Sequence, residues 1–274
     1  MQKRHLTIKM NDAAGAPIKK ATITDEGSTL LAEWKAGDAV SCCNLSTLTS
    51  IKEIIITHDM RAATSGLRTD LEGEVECMAD DYLAIVYPTV DMTQSFKMGD
   101  EIYCKFILPL SNQDGTLATL AKDFHYVYGR AHILSVSGSN AEAEMDKMQS
   151  LLTICKFSFK DKATNAVLPI NTLTISYGGA GSDAGKYPQS ASVTVNVLTE
   201  NGEANTVKEE GSTTPLTINA GGATEVYVAL LPETASRIYN FTVTNDNGIY
   251  TGTAEAWLKK GEYVPAIGLK LTKQ

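Results

Sequence analysis

The stretch SNQDGTLATL (111–120) carries oxygen-bearing side chains on alternate residues ahead of a glycine, as a calcium loop does. With Gly115 at the loop's glycine position, Asn112 and Asp114 fall where two ligands belong. Leu110 and Ala121 then occupy the first and last ligand positions, and neither offers the carboxylate a hard cation needs. The same alignment on Gly248 puts Val243 and Ala254 there and fails likewise. The stretch reads as a turn leading into a short helix.

YGGAGSDAGKYP (177–188) approaches two phosphate-binding patterns. Gly179, Gly181 and Ala184 satisfy G-x-G-x-x-A, but that pattern must open a helix whose N-terminus faces a pyrophosphate. Here Tyr187-Pro188 and a strand follow. Gly185-Lys186 resembles a P-loop ending, yet Ala180 replaces its first glycine and Tyr187 its hydroxyl residue. A hairpin loop is the better reading. His5, His58, His125 and His132 show no H-E-x-x-H spacing, and no G-x-S-x-G elbow presents a serine. Asp80-Asp81 and Glu209-Glu210 are adjacent acids, which point to opposite sides of a strand. Cys42, Cys43, Cys77, Cys104 and Cys155 include no C-x-x-C pair and most lie in strand-like runs, so they read as small buried hydrophobes. A disulfide between two of them stays open for an exported chain. Trp34 and Trp257 could stack on a sugar, but sparse aromatics in a β protein more often fill cores and corners. No catalytic, cofactor-binding or metal-binding residue is assigned, and the chain is read as a non-enzyme.

The elements that would have to position any site are mostly strands. Alternation is clear in LTISY (173–177), VTVNV (193–197), IYCKF (102–106) and IGLKL (267–271). LAIVYP (83–88) and EVYVALLP (225–232) are more continuously apolar and read as interior strands ending at proline. LLTICKFSF (151–159) changes phase, which a β-bulge or a strand switching sheets explains. Leu117, Leu120, Ala121 and Phe124 fall on one helical face, with Thr116 as the cap. Turn signals punctuate the chain every ~8–15 residues, so the fold class is all-β, sandwich or barrel, with no parallel α/β alternation. The polar stretch SGSNAEAEMDKMQS (137–150) is the expected linker, dividing domains at 1–140 and 141–274.

The chain has 274 residues, 43% hydrophobic and 20% charged, which is globular composition. Its formal net charge is −8 and it has no basic run, so the electrostatic footprint of a nucleic-acid binder is missing. No apolar stretch approaches the ~18 residues of a membrane span. MQKRHLTIKM (1–10) has charges but no apolar core behind them. Either the protein is cytoplasmic or a leader was removed before residue 1.

Several segments in order resemble the fimbrillin-like family, the pilins and tip subunits of Bacteroides-type surface fimbriae (type V pili). They are EWKAGDAV (Trp34, Gly37, Asp38), LAIVYP (Tyr87, Pro88) and LPLSNQDGTLATLAKDFHYVYGRA (Gln113, Gly115, Thr116, Asp123, Tyr128). KFSF, VYVALLP, NGIYTGTA and KGEYVPAIGLKL follow, so the resemblance runs from about residue 6 to residue 271. LLTICKFSF lacks a histidine many relatives carry near this strand.

The resemblance implies two transthyretin-like antiparallel β-sandwich domains in tandem, with one short helix in the first. It implies export as a lipoprotein precursor to the cell surface, fimbrium and outer membrane, the lipid-bearing cysteine lying upstream of residue 1. Its implied partners are other fimbrial subunits, joined by β-strand donation, and a host or bacterial surface receptor, with no nucleic acid and no membrane span. HLTIKM (5–10) would be the first strand, removed by proteolysis near Lys19-Lys20, and AIGLKL (266–271) the donor or final strand. A pair of lysines is not what an Arg-specific protease prefers. The competing readings are a surface glycan-binding module on the same fold and a secreted hydrolase whose site residues lie far apart in sequence.

Overall fold

The computed structural model describes residues 2–10, 22–47, 57–92, 94–98, 101–145, 148–196, 204–210 and 214–274. The chain opens with β1 (Gln2–Met10), β2 (Thr22–Asp25), β3 (Leu30–Glu33), β4 (Ala39–Asn44) and β5 (Thr57–Ala62). Then come β6 (Leu71–Cys77), β7 (Tyr82–Tyr87), β8 (Gln94–Met98) and β9 (Glu101–Pro109). The helix α1 (Leu117–Thr119) leads to β10 (Val127–Ser137), β11 (Asn140–Met145) and β12 (Gln149–Ser150). The second half holds β13 (Thr153–Asp161), β14 (Ile170–Tyr177), β15 (Ser190–Asn196), β16 (Ala204–Glu210) and β17 (Leu216–Ala223). It ends with β18 (Val226–Leu230), β19 (Arg237–Asn245), β20 (Gly248–Ala256) and β21 (Tyr263–Lys273).

The first sheet runs β11-β1-β6-β5-β4-β7-β10-β12, and β11 also pairs with β10. That extra pairing closes the sheet on itself. β1 is therefore a wall strand, antiparallel to β6 and parallel to β11. The inner face is apolar, with Leu6, Ile8, Trp34, Met60, Val75 and Ile85 in one core cluster. Closure leaves no long free edge in this unit.

The stretch 137–150, expected as a linker, is part of this barrel. β11 and the end of β10 form a hairpin, so the division expected between residues 140 and 141 falls within β11. The physical reason is period-two patterning in small residues. Ala141, Ala143 and Met145 are buried, while Asn140 and Glu142 face solvent. Asn140, Glu142 and Glu144 make the stretch read as polar, although Ala141, Ala143 and Met145 supply the inward face.

The second large sheet runs β17-β14-β19-β20-β21-β13-β18. A four-stranded sheet, β16-β15-β9-β8, takes two strands from each half of the chain. Its inward residues Phe106, Leu108 and Val193 join the same core cluster as Val86 of the barrel and Phe241 of the second sheet. The bulge expected in 151–159 lies on the partner strand: the β13–β21 ladder shifts register between Phe157 and Phe159. The extra residue sits on β21, where Gly268 has φ +70. β13 itself is buried on both faces, which is why its apolar residues do not alternate.

Thr116 caps the helix, accepting from the Thr119 N–H at 3.1 Å. Past Thr119 the helix widens into a π-turn over Leu120–Phe124, closed by His125 N–H donating to Leu120 O at 2.7 Å. Leu120, Ala121 and Phe124 are buried, as their spacing predicts.

Candidate functional site

β1 is the element on which the expected strand donation turns. Leu6 and Ile8 are fully buried, and His5 and Lys9 point outward. Lys3, Arg4 and Lys9 give the strand positive charge, and 2–10 contains no acid. Its neighbours are the reverse: β6 carries Glu72, Glu74 and Glu76, and β11 carries Glu142 and Glu144, with no base in either. Register places Lys3 opposite Glu76, His5 opposite Glu74 and Lys9 opposite Glu144. His5 Nδ1 lies 3.5 Å from Glu74, and Lys9 Nζ lies 3.5 Å from Glu142. Arg4 donates to the carbonyls of Cys77 and Gly138. The whole strand is thus held by main-chain ladders on both edges, two buried side chains and outward charge pairs.

Lys19 and Lys20, the expected processing residues, lie outside the described residues. AIGLKL (266–271) is part of β21, which runs parallel to β13. On its other edge β21 pairs with β20 only through Thr272 and Lys273. Leu271 is buried, Ile267 is 54% exposed, and Lys270 lies directly opposite Lys160.

The calcium-like loop is a docking turn. Asp114 accepts from Thr116 N–H at 2.8 Å, Thr116 Oγ1 at 2.9 Å and Thr119 Oγ1 at 2.6 Å. Burial works to raise its pKa, but these hydrogen bonds outweigh it and hold the carboxyl below the usual range. Gln113 donates to Leu110 O and Ala229 O and accepts from Ala229 N–H at 2.7 Å. The Asp114 oxygens are thus taken up within the loop, and the Gln113 amide and Gly115 carbonyl are bonded to β18. Among the described residues no group of three or more His, Cys, Asp or Glu is placed to hold a metal.

The glycine-rich loop folds back on itself, with Gly185 N–H on Tyr177 O at 2.9 Å, and leads to β15 rather than a helix. All five cysteines are buried free thiols. Burial pushes the Cys42 and Cys155 thiols far up, leaving them unreactive. Trp34 is buried, edge-on to Tyr87 at 5.8 Å between ring centroids. Trp257 is 52% exposed, its indole N–H fixed on Glu233 O at 2.8 Å.

One cluster had no signal in the sequence. Lys156 Nζ on β13 lies 2.9 Å from both Asp25 and Glu225, and Tyr227 donates to Asp25 at 2.6 Å. The Lys156 and Asp25 side chains are only 15% and 11% exposed. Burial acts to raise the Asp25 pKa, but bonds from Tyr227, Lys156 and Gly27 reverse it and push it far down. Asp25 and Glu225 push Lys156 far up. The cluster ties the β2–β3 hairpin to the second sheet across 131 residues of chain.

No protein-family model matches the chain, and no curated protein is similar to it. Among solved structures it is similar to the shaft pilin SpaA from Lactobacillus rhamnosus GG: 14% identity, TM-score 0.35, covering 100% of this chain and 98% of that one. It is also similar to a candidate cell-adhesion protein from Bacteroides eggerthii: 11% identity, TM-score 0.36, covering 98% and 87%. A streptococcal ancillary pilin shows 10% identity and TM-score 0.33, covering 99% and 69%. Likeness at this level carries no argument about family or role.

Proposed function

We propose that the chain is a fimbrillin-like structural or adhesive subunit of the cell surface, assembled by strand donation after removal of its first strand. The tandem transthyretin-like arrangement, the two-unit division, outer-membrane export as a lipoprotein and the Lys19-Lys20 processing site belong to the same reading. Its partners are further subunits and a surface receptor.

The observation that carries it is the place of β1 in a closed ring. Taking β1 away uncovers facing edges of β6 and β11 above an apolar floor. Unpaired N–H and C=O groups beside apolar surface are satisfied together by an extended segment from another chain. Residues 266–271 supply such a segment, with apolar residues at alternate positions. The test is electron microscopy with and without trypsin trimming. Polymers that appear only after trimming are expected; monomers that persist after β1 has gone overturn stalk assembly.

A second reading, a glycan-binding surface module, is favoured by Trp257, whose exposed ring is held rigid through its N–H. Binding on a glycan array that is abolished by Trp257→Ala supports it; an array with no binding removes it.

A further inference from the structure

From the charges flanking β1 we infer that the slot selects its incoming strand by charge as well as by shape. Its occupant is residues 266–273 of a second copy of this chain. The inference rests on the strand-donation reading.

The chain as a whole is acidic at −8, yet β1 is a wholly basic strand set between two wholly acidic ones. With β1 gone, Glu72, Glu74, Glu76, Glu142 and Glu144 border an apolar floor with no base on either wall. An acidic strand entering there meets like charges across both ladders, and a basic one meets opposite charges.

Residues 266–273 fit both requirements. Ile267, Leu269 and Leu271 repeat the spacing of Leu6, Ile8 and Met10, and Lys270 falls where Lys9 stands. The segment 263–274 contains no acid. Where β21 now lies, Lys270 faces Lys160, a like-charge pairing, and Ile267 is left 54% exposed. β21 also has a full ladder on one edge and two paired residues on the other. Moving into the slot gives up β13 and takes Leu271, with the partly buried Val264, Ala266 and Leu269, off the core of the second sheet. In exchange it pairs both edges, buries Ile267 and sets Lys270 beside Glu142 and Glu144.

The test uses the full chain carrying a fluorophore at its N-terminus and one inserted protease site between Met10 and Thr22. After the cut, displacement of the labelled fragment is followed as peptide is added. One peptide has the sequence of residues 263–274; the other carries Lys270→Glu and Lys273→Glu. At low salt the native peptide is expected to displace the fragment at about tenfold lower concentration. The gap should close in 1 M salt, where charges are screened beyond about 3 Å. Glu72→Lys, Glu74→Lys and Glu142→Lys together should invert the order. These side chains are exposed, and should that variant fail to fold, the salt titration on the unaltered walls decides. Equal displacement by both peptides at low salt overturns the charge selection alone. Failure of both to displace the fragment overturns strand donation with it.

Discussion

Lys156 and Asp25 are the residues with most at stake individually. Both are mostly buried, and removing Asp25 leaves the Lys156 ammonium with Glu225 as its ionic partner and the Tyr227 hydroxyl without its acceptor. Asp25→Ala should cost about 1.5–3 kcal/mol in denaturant unfolding. The pH dependence follows from the two shifts. Asp25 is depressed, so its contribution is present above its ordinary value of 3.8 and lost as pH falls through the lower folded value. Lys156 is raised, so its contribution is full below 10.5 and lost only as pH rises past that toward the higher folded value. The difference between parent and Asp25→Ala should therefore stay flat from about pH 5 to 9. Gln113→Leu strips the Ala229 N–H of its acceptor inside the core and should cost about 1–3 kcal/mol, read by thermal unfolding. Neither partnership was legible beforehand. Asp114-Gly115 announced a turn, but nothing local tells Gln113 that it meets Ala229, or Lys156 that it meets Asp25.

Strands with branched or aromatic residues on alternate positions, such as LTISY, were legible because their pattern names the buried face. So was the helix face over Leu117–Phe124, and its π-turn was not, because spacing fixes a face but not a hydrogen-bond partner. β11 was missed because alanine is nearly silent in a polarity pattern. Its two faces should separate cleanly on mutation. Ala143→Glu puts a charge inside the barrel and should cost about 3 kcal/mol or more, while Glu142→Ala should stay within about 0.5 kcal/mol. Equal effects in urea unfolding would mean that β11 does not present these faces. The broken alternation in 151–159 comes from a strand buried on both faces; the bulge belongs to the partner strand, where Gly268 tolerates the left-handed conformation.

At the scale of the molecule, sequence patterning led to an all-β chain, and the ring closure and the mixed four-stranded sheet came only with the structure. Pairing between β1 and β11 joins residues more than 130 positions apart, which no local pattern encodes. The slot shares that origin: its acidic walls come from two distant strands, each unremarkable alone. Strand donation requires β1 to be a separable wall of an otherwise intact barrel. Amide hydrogen exchange tests this most directly, on the chain cut between Met10 and Thr22, before and after its first strand is stripped away. The amides of β6 and β11 that face β1 should lose protection on stripping and regain it when the 263–274 peptide is added, while β4 and β7 stay protected throughout. Protection of β6 and β11 unchanged by loss of β1, or collapse of protection across β4 and β7, would contradict it.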